Sequence, residues 1–396
     1  MTGIKYFPDD ILVKNKIIIL RLDLNVPLKD KKILDDTRIL QILPFLKKLI
    51  NKEAKIIILT HLGRPKGITE NNLSLLPVYK YLKKKIENNI YFFTGEIDDQ
   101  IKNKSLYLKP GEVLFFENMR FNKGEAENDE SFAKKLASLG EIYINDSFSC
   151  SHREQASIHK ITKFIKLSYA GPLVKKEIEA IDMVIKNKKK PVTCIIGGSK
   201  ISTKINVISK LMENVNNIVI VGAMANNFLF HKGFNIGRSL IEKNSNKIID
   251  EIYVRAKKNN CAIIIPTDCN VSTDFDGLSS SKSLKKISSD DIILDIGPET
   301  LKEIENIIDK SNTVLWNGPA GYFENKNFAN GTNCIAQKIS ENTRNKSLIS
   351  IVGGGDTVSA INKLKKKLFF THLSTAGGAF LEYLEGKDLP GLSVLK

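Results

Sequence analysis

Across 396 residues the chain has no CxxC pair and no histidine cluster beside its five cysteines. That missing ligand spacing excludes a zinc-finger site and a dithiol redox motif. Cys150, Cys194, Cys261, Cys269 and Cys334 stand alone, as expected of small buried residues in a reducing compartment. No apolar run approaches the roughly 18 residues of a membrane span. The opening MTGIKYFPDD has no basic stretch ahead of an apolar one, so no secretory signal is expected. The expectations are a cytoplasmic location and no membrane partner. The P-loop pattern GxxxxGK[ST] is absent, and no GxGxxG follows the first expected strand of either half, so neither standard nucleotide fingerprint applies.

Arginine is scarce as well. Lys and Arg total 60 against 44 Asp and Glu, a net charge of +16, yet eight of the sixty are Arg. A lysine-rich surface is ordinarily a solvated one, and Lys188–Lys190 and Lys365–Lys367 read as helix ends or loops. The excess charge also suits an anionic partner. A nucleic-acid surface would interleave basic and aromatic residues, whereas aromatics make up 8% here, so no nucleic-acid partner is expected. A scarce arginine belongs where a planar bidentate fork is needed and lysine will not serve. Arg21, Arg38, Arg64, Arg120 and Arg153 all fall in the first 153 residues.

What the chain does have is the composition of a soluble globular enzyme, 42% hydrophobic and 26% charged. Its length suits two domains of about 150–200 residues each. Short β-branched runs alternate with amphipathic stretches. KIIILRLD (16–23), AKIIILT (54–60), EVLFFE (112–117) and EIYINDS (141–147) read as strands apolar on both faces. Residues 36–52, with Ile39, Ile42, Leu43, Leu46, Leu49 and Ile50 at helical spacing, read as a helix, as do 75–86 and 130–140. The pattern restarts with strands at 191–197, 217–223, 261–268, 291–297, 312–318, 347–354 and 369–374. Such alternation predicts an α/β fold of two halves with parallel sheets, residues 1–172 and 191–379, joined by an interdomain helix at 173–190.

In open parallel sheets ligands bind at the carboxyl ends of the strands. In the first half those ends are Asp23-Leu24-Asn25, His61-Leu62-Gly63-Arg64, Glu117-Asn118-Met119-Arg120 and Ser149 to Arg153, with Arg38 at the start of the first helix. Convergent Arg and His with one Asn and one Asp suit a small phosphorylated carboxylic acid. In the second half the ends are Gly-rich: Gly197-Gly198-Ser199-Lys200 before Lys204, Gly222, Gly318, Gly353 to Thr357, and Ser374 to Gly378. Glycine lets backbone approach closely, and free amides at a helix start bind phosphate, so this half is expected to hold a polyphosphate.

Taken together, RLDLNVP (21–27), HLGRP (61–65), ENMRFNKGE (117–125), HREQAS (152–157), GGSKISTKI (197–205), DIGPET (295–300), WNGPAGYFE (316–324), GGGDT (353–357) and GKDLPG (386–391) resemble phosphoglycerate kinases, in the family order and from end to end. The resemblance implies phosphoryl transfer between 1,3-bisphosphoglycerate and ADP, giving 3-phosphoglycerate and ATP, by a hinge-bending monomer of two Rossmann-like domains with the ligand cleft between them. It implies that residues 380–396 pack back on the first domain. It assigns the acid to Asp23, Asn25, Arg38, His61, Arg64, Arg120 and Arg153. It assigns the nucleotide to Gly198, Lys200, Lys204, Asn317, Glu324, Gly354, Gly355, Asp356 and Thr357, with Asp356 at the Mg²⁺ of MgATP or MgADP. Arg38 and Lys204 are expected to flank the migrating phosphoryl group, with Gly377 and Gly378 adding amides. An acid that is already a carboxylate needs no general base, so His61 and His152 are expected to hydrogen-bond rather than shuttle protons. Three segments depart from the family pattern: DSFSCS (146–151), Val221 and Asn227 in VGAMANNFL, and Ala376, which stands where a glycine is usual. Ala376 is tolerable if its φ is negative. The alternatives are a dehydrogenase, disfavoured by the missing GxGxxG, and a basic nucleic-acid-binding protein.

Overall fold

The structure is a computed structural model describing residues 3–186, 188–364 and 366–396. Asn187, inside the expected helix to 190, and Lys365, in the expected lysine run, lie outside the described residues. The chain divides into two compact units, Met1–Glu177 with Asp388–Lys396, and Ile178–Lys387.

The first unit holds β1 (Ile17–Leu22), a small hairpin of β2 (Leu28–Lys29) and β3 (Lys32–Ile33), then β4 (Lys55–Leu59), β5 (Ile90–Phe93), β6 (Val113–Phe116), β7 (Ile142–Asp146) and β8 (Leu167–Ala170). Six of these form a wholly parallel sheet in the order β5-β6-β4-β1-β7-β8. Every residue of β1 is buried, as required of a strand covered on both faces. The helix Thr37–Asn51 buries Ile39, Ile42, Leu46, Leu49 and Ile50 against this sheet's core. Strands β5 and β8 have no counterpart in the sequence reading. β8 (LSYA) mixes polar and apolar residues over four positions, too few for a periodicity signal.

The second unit holds β9 (Val192–Ile196), β10 (Asn217–Ile220), β11 (Ala262–Ile264), β12 (Asp268–Ser272), β13 (Ser280–Ser283), β14 (Ile292–Ile296), β15 (Thr313–Asn317), β16 (Ile349–Gly353) and β17 (His372–Ser374). Its main sheet is also parallel, in the order β11-β10-β9-β15-β16-β17. Counted along the chain that is 3-2-1-4-5-6, the doubly wound order, with its switch point between β9 and β15. DIILDIG (291–297), read from sequence among the parallel strands, instead forms β14 of a separate antiparallel sheet ordered β13-β12-β14. Apolar periodicity reports burial and does not name the partner strand.

Buried aspartates anchor helices to strand ends. Asp146, the last residue of β7, accepts from the amides of Leu173 and Val174 at 2.7 and 3.2 Å, capping the helix Pro172–Ile185. Asp295 accepts from the amide of Gly331 at 2.8 Å, at the start of the helix Asn330–Asn345. Burial pushes both carboxyls up to about 7. A carboxyl raised from 3.8 favours the folded state fully below its unfolded value, and that contribution is lost as pH rises through about 7. Asp146→Asn keeps an oxygen acceptor but cannot ionise. Relative to the parent, its melting temperature is expected to improve between pH 5 and pH 8. A constant difference across that range would show that Asp146 does not titrate there.

Candidate functional site

At the carboxyl edge of the first sheet, Asp23 follows β1 and lies largely buried. It pairs with Arg38 Nη1 at 2.6 Å, accepts from Ser149 Oγ, and accepts from the Asn25 amide at 3.0 Å. Arg38 Nη1 also donates to the Asn25 carbonyl at 3.0 Å, and Asn25 Oδ1 accepts from the Gly63 amide at 2.9 Å. Arg120 donates to the Gly63 carbonyl at 2.6 Å and to Gln155 Oε1 at 3.3 Å. Four segments from four strand ends are thereby tied together. Arg64 and Arg153 lie exposed at the same strand ends.

His61 is buried after β4, with Arg21, Arg120 and Arg38 around it. Desolvation, and then those guanidinium charges, hold its pKa well below 6.5, so the ring is neutral at physiological pH. Asp23, His61 and Cys150 have donor atoms within 4.8 Å of one another. The same three guanidiniums oppose a cation there, and Asp23 is already committed to Arg38. Arrangement and charge favour an anion.

Arg21 escaped the sequence reading as a site residue. It sits inside β1 with no exposed surface. Its Nε donates to Ser157 Oγ at 3.0 Å, its Nη1 donates to the Leu22 carbonyl, and its Nη2 lies 3.3 Å from His61 Nδ1. Ser157 Oγ in turn donates to Glu125 Oε1 at 2.6 Å, and the Ser157 amide donates to Glu125 Oε2 at 2.8 Å. Glu125 is fully buried, so its carboxylate answers the Arg21 charge through one hydroxyl. An arginine amid isoleucines was the available signal. In a strand buried on both faces it must have buried partners.

In the second unit the residues gather at the switch point. Lys204 Nζ donates to the Gly197 carbonyl and to Asn317 Oδ1, both at 2.7 Å. Asn317 Nδ2 donates to the Gly353 carbonyl at 2.9 Å, which fixes the amide with its oxygen toward the lysine. Thr357 Oγ1 accepts from the Gly318 amide at 2.8 Å. Gly197 and Gly318 touch backbone to backbone: a Cβ on Gly197 would lie 2.3 Å from the Pro319 carbonyl oxygen. Lys204 has no carboxylate in salt-bridge reach among the described residues. Desolvation lowers its pKa to about 8, partly offset by the field of Asp356.

A cavity of about 310 Å³ opens beside these residues, with Gly198, Gly222, Glu324 and Asp356 in its wall. Its remaining lining, including Leu229, Leu240, Leu294, Phe275 and Tyr322, is largely apolar. The antiparallel sheet supplies Leu294, so the misread β14 builds part of this wall. Gly354 precedes the helix Gly355–Lys363 with φ +105°. Lys200 is exposed. Gly377 and Gly378 follow β17, which runs beside β16, and open a helix of seven residues. Ala376 is buried and is not among the residues with positive φ, so the missing glycine costs no strain there.

A family model for phosphoglycerate kinase matches residues 8–387. A phosphoglycerate kinase of Wolbachia pipientis wMel is 45% identical over 96% of both chains. One from Orientia tsutsugamushi (strain Ikeda) is 43% identical over 98% of this chain and 96% of its own. The solved phosphoglycerate kinase from Coxiella burnetii superposes with a TM-score of 0.88 at 38% identity, covering 98% of this chain and 97% of its own. The chain belongs to the phosphoglycerate kinase family. As a phosphoglycerate kinase it is a phosphotransferase with a carboxyl acceptor, its substrates a nucleotide and a phosphoglycerate. Among the described residues no helix is long and apolar enough to cross a membrane.

Glu125→Gln tests the buried relay. It keeps the shape but leaves the Arg21 charge without a compensating carboxylate, and the expected cost is about 2 kcal/mol or more in urea unfolding. A loss within about 0.5 kcal/mol, as for an ordinary surface change, would show that Glu125 does not balance Arg21.

Proposed function

We propose that the first unit holds the phosphoglycerate through Asp23, Asn25, Arg38, His61, Arg64, Arg120 and Arg153, and that the second holds the nucleotide through Gly198, Lys200, Lys204, Asn317, Glu324, Gly354, Gly355, Asp356 and Thr357. The observation that carries this reading is Lys204, a partly buried ammonium bonded to neutral oxygens alone. Such a charge is poorly solvated and unpaired, and an anionic phosphoryl group placed beside it supplies what the protein withholds.

The acceptor carboxylate is ionised at neutral pH, so the reaction needs no general base. The neutral, enclosed His61 supports a hydrogen-bonding part for that ring. Catalysis then rests on alignment and on charge placed where it develops. Arg38, already aimed by Asp23 and Asn25, presents a planar fork to the acid and the migrating group. Lys204 follows the transferred charge from the nucleotide side. The amides at Gly354-Gly355 head a nine-residue helix and face phosphate favourably. Gly377 and Gly378 are the corresponding amides after β17.

Asp356 is exposed in the first turn of that helix and lines the same cavity as Gly198 and Glu324, a fitting position for one carboxylate contact to a nucleotide-bound Mg²⁺. When bound, that ion neutralises charge between phosphate oxygens. Closure of the two units would exclude water from the acyl phosphate. All five cysteines are free thiols, which supports a reducing, cytoplasmic setting, and we propose that the enzyme acts there as a monomer.

A coupled assay for 3-phosphoglycerate-dependent consumption of MgATP tests the reading, and no turnover by folded protein would overturn it. Arg38→Lys tests its geometry. The exchange keeps the charge and removes the fork, so kcat is expected to fall on the order of 100-fold at near-parental melting temperature. A stable variant with near-parental kcat would reduce Arg38 to a charge that steers the substrate.

A further inference from the structure

Ser149 lies in the short 3₁₀ turn Phe148–Cys150 that follows β7, inside the DSFSCS segment that departs from the family pattern. Its hydroxyl crosses from the end of β7 to the end of β1 and donates to Asp23 Oδ2. Arg38 Nη1 meets that same oxygen at 2.6 Å. The other oxygen, Oδ1, accepts from the Asn25 amide at 3.0 Å. A carboxylate oxygen offers two acceptor sites, so Ser149 and Arg38 between them fill Oδ2. An ionised carboxylate can only accept, which commits the hydroxyl proton to Asp23.

The turn that carries Ser149 is itself braced. The Cys150 amide donates to the Ser147 carbonyl at 3.2 Å, and the Ser151 amide to the Phe148 carbonyl at 2.9 Å. Asn145, buried in β7, accepts from the Ser147 amide through Oδ1 at 3.0 Å. Its Nδ2 donates to Ser151 Oγ at 3.2 Å and to the Gly391 carbonyl at 3.1 Å. Ser149 therefore starts from a fixed backbone. The Asn25 amide, by contrast, is a local bond two residues from Asp23. Without the hydroxyl, Oδ2 would be held among the described residues by Arg38 alone, and the carboxylate could turn with the group it has to aim.

We infer that Ser149 is a positioning residue for the phosphoryl transfer: its hydroxyl fixes Asp23, and through that one oxygen it fixes the direction of the Arg38 fork. The inference rests on the part proposed above for Arg38 and extends it to the group that aims it. Ser149 acts through Asp23 and does not touch the reacting atoms. Its loss therefore shows in the step where alignment counts, in kcat more than in the KM for 3-phosphoglycerate.

The test is a double-mutant cycle in the 3-phosphoglycerate-dependent assay with the full chain, using Ser149→Ala, Arg38→Lys and the two together. Ser149→Ala alone is expected to lower kcat on the order of tenfold, with KM for 3-phosphoglycerate and melting temperature near the parental values. In the Arg38→Lys background, where no fork is left to aim, the same change is expected to alter kcat by about twofold or less. Ser149→Gly provides the same comparison if the alanine variant does not fold. A parental kcat in Ser149→Ala would overturn the inference. So would a raised KM at unchanged kcat, which is the mark of direct substrate contact, or an equal loss in both backgrounds, which is the mark of a role independent of Arg38. Near-parental kcat in Arg38→Lys alone would count against the Arg38 reading instead, so the two failures are distinguishable.

Discussion

A lysine ammonium held by neutral oxygens is the constraint around which the second unit is arranged. Lys204 has to reach the Gly197 carbonyl and Asn317 Oδ1 at once, which requires β9 and β15 to be neighbours. It requires Gly197 and Gly318 to lie backbone against backbone, with no room for a side chain between them. It requires Asn317 to be oriented, and the Gly353 carbonyl at the end of β16 does that. A carboxylate in place of any of these oxygens would neutralise the charge and leave none for the phosphoryl group that we propose it meets. The low pKa and the absent ion pair are thus two expressions of one design.

The first unit solves a different problem with the same architecture. Parallel strands bring all their carboxyl ends to one edge, so Asp23, His61, Arg120 and Ser149 can meet although they lie far apart in sequence. Here several guanidiniums must coexist. Arg38 is balanced directly by Asp23, and Arg21 indirectly by Glu125 through Ser157. Burial first, and then the positive field, keep His61 neutral, and that field opposes a metal at Asp23, His61 and Cys150. Ser149, in the segment where the chain departs from the family pattern, adds a hydroxyl donor to Asp23, so that departure strengthens the support of Asp23.

Much of this could be read from the residues. IIILRL, KIIIL, VLFF and VTCII are apolar on both faces and short, and only a covered parallel strand satisfies that. Locating the strands located their ends, and with them the candidate residues. Three features were hidden for physical reasons. DCNVS (β12) is polar and still buried, because its side chains find partners far away, as Asp268 does at Thr300. IILDI (β14) looks like the strands of the parallel sheets, since burial and not pairing sets its composition. Arg21 stands out as one of eight arginines, yet only its burial inside β1 shows that its charge must be compensated within the protein.

The central claim is that Lys204 must enter the reaction as a cation without a carboxylate of its own. Its pKa of about 8 makes that claim measurable in the free enzyme. The kcat/KM for MgATP should fall as pH rises above about 8, because the lysine then loses its proton before nucleotide binds. The limb should lie at higher pH in kcat, where bound phosphates hold the proton on. Lys204→Arg, charged throughout, should retain measurable activity with no such limb up to pH 10. A parental profile flat to pH 10, or an unchanged limb in the arginine variant, would contradict the account.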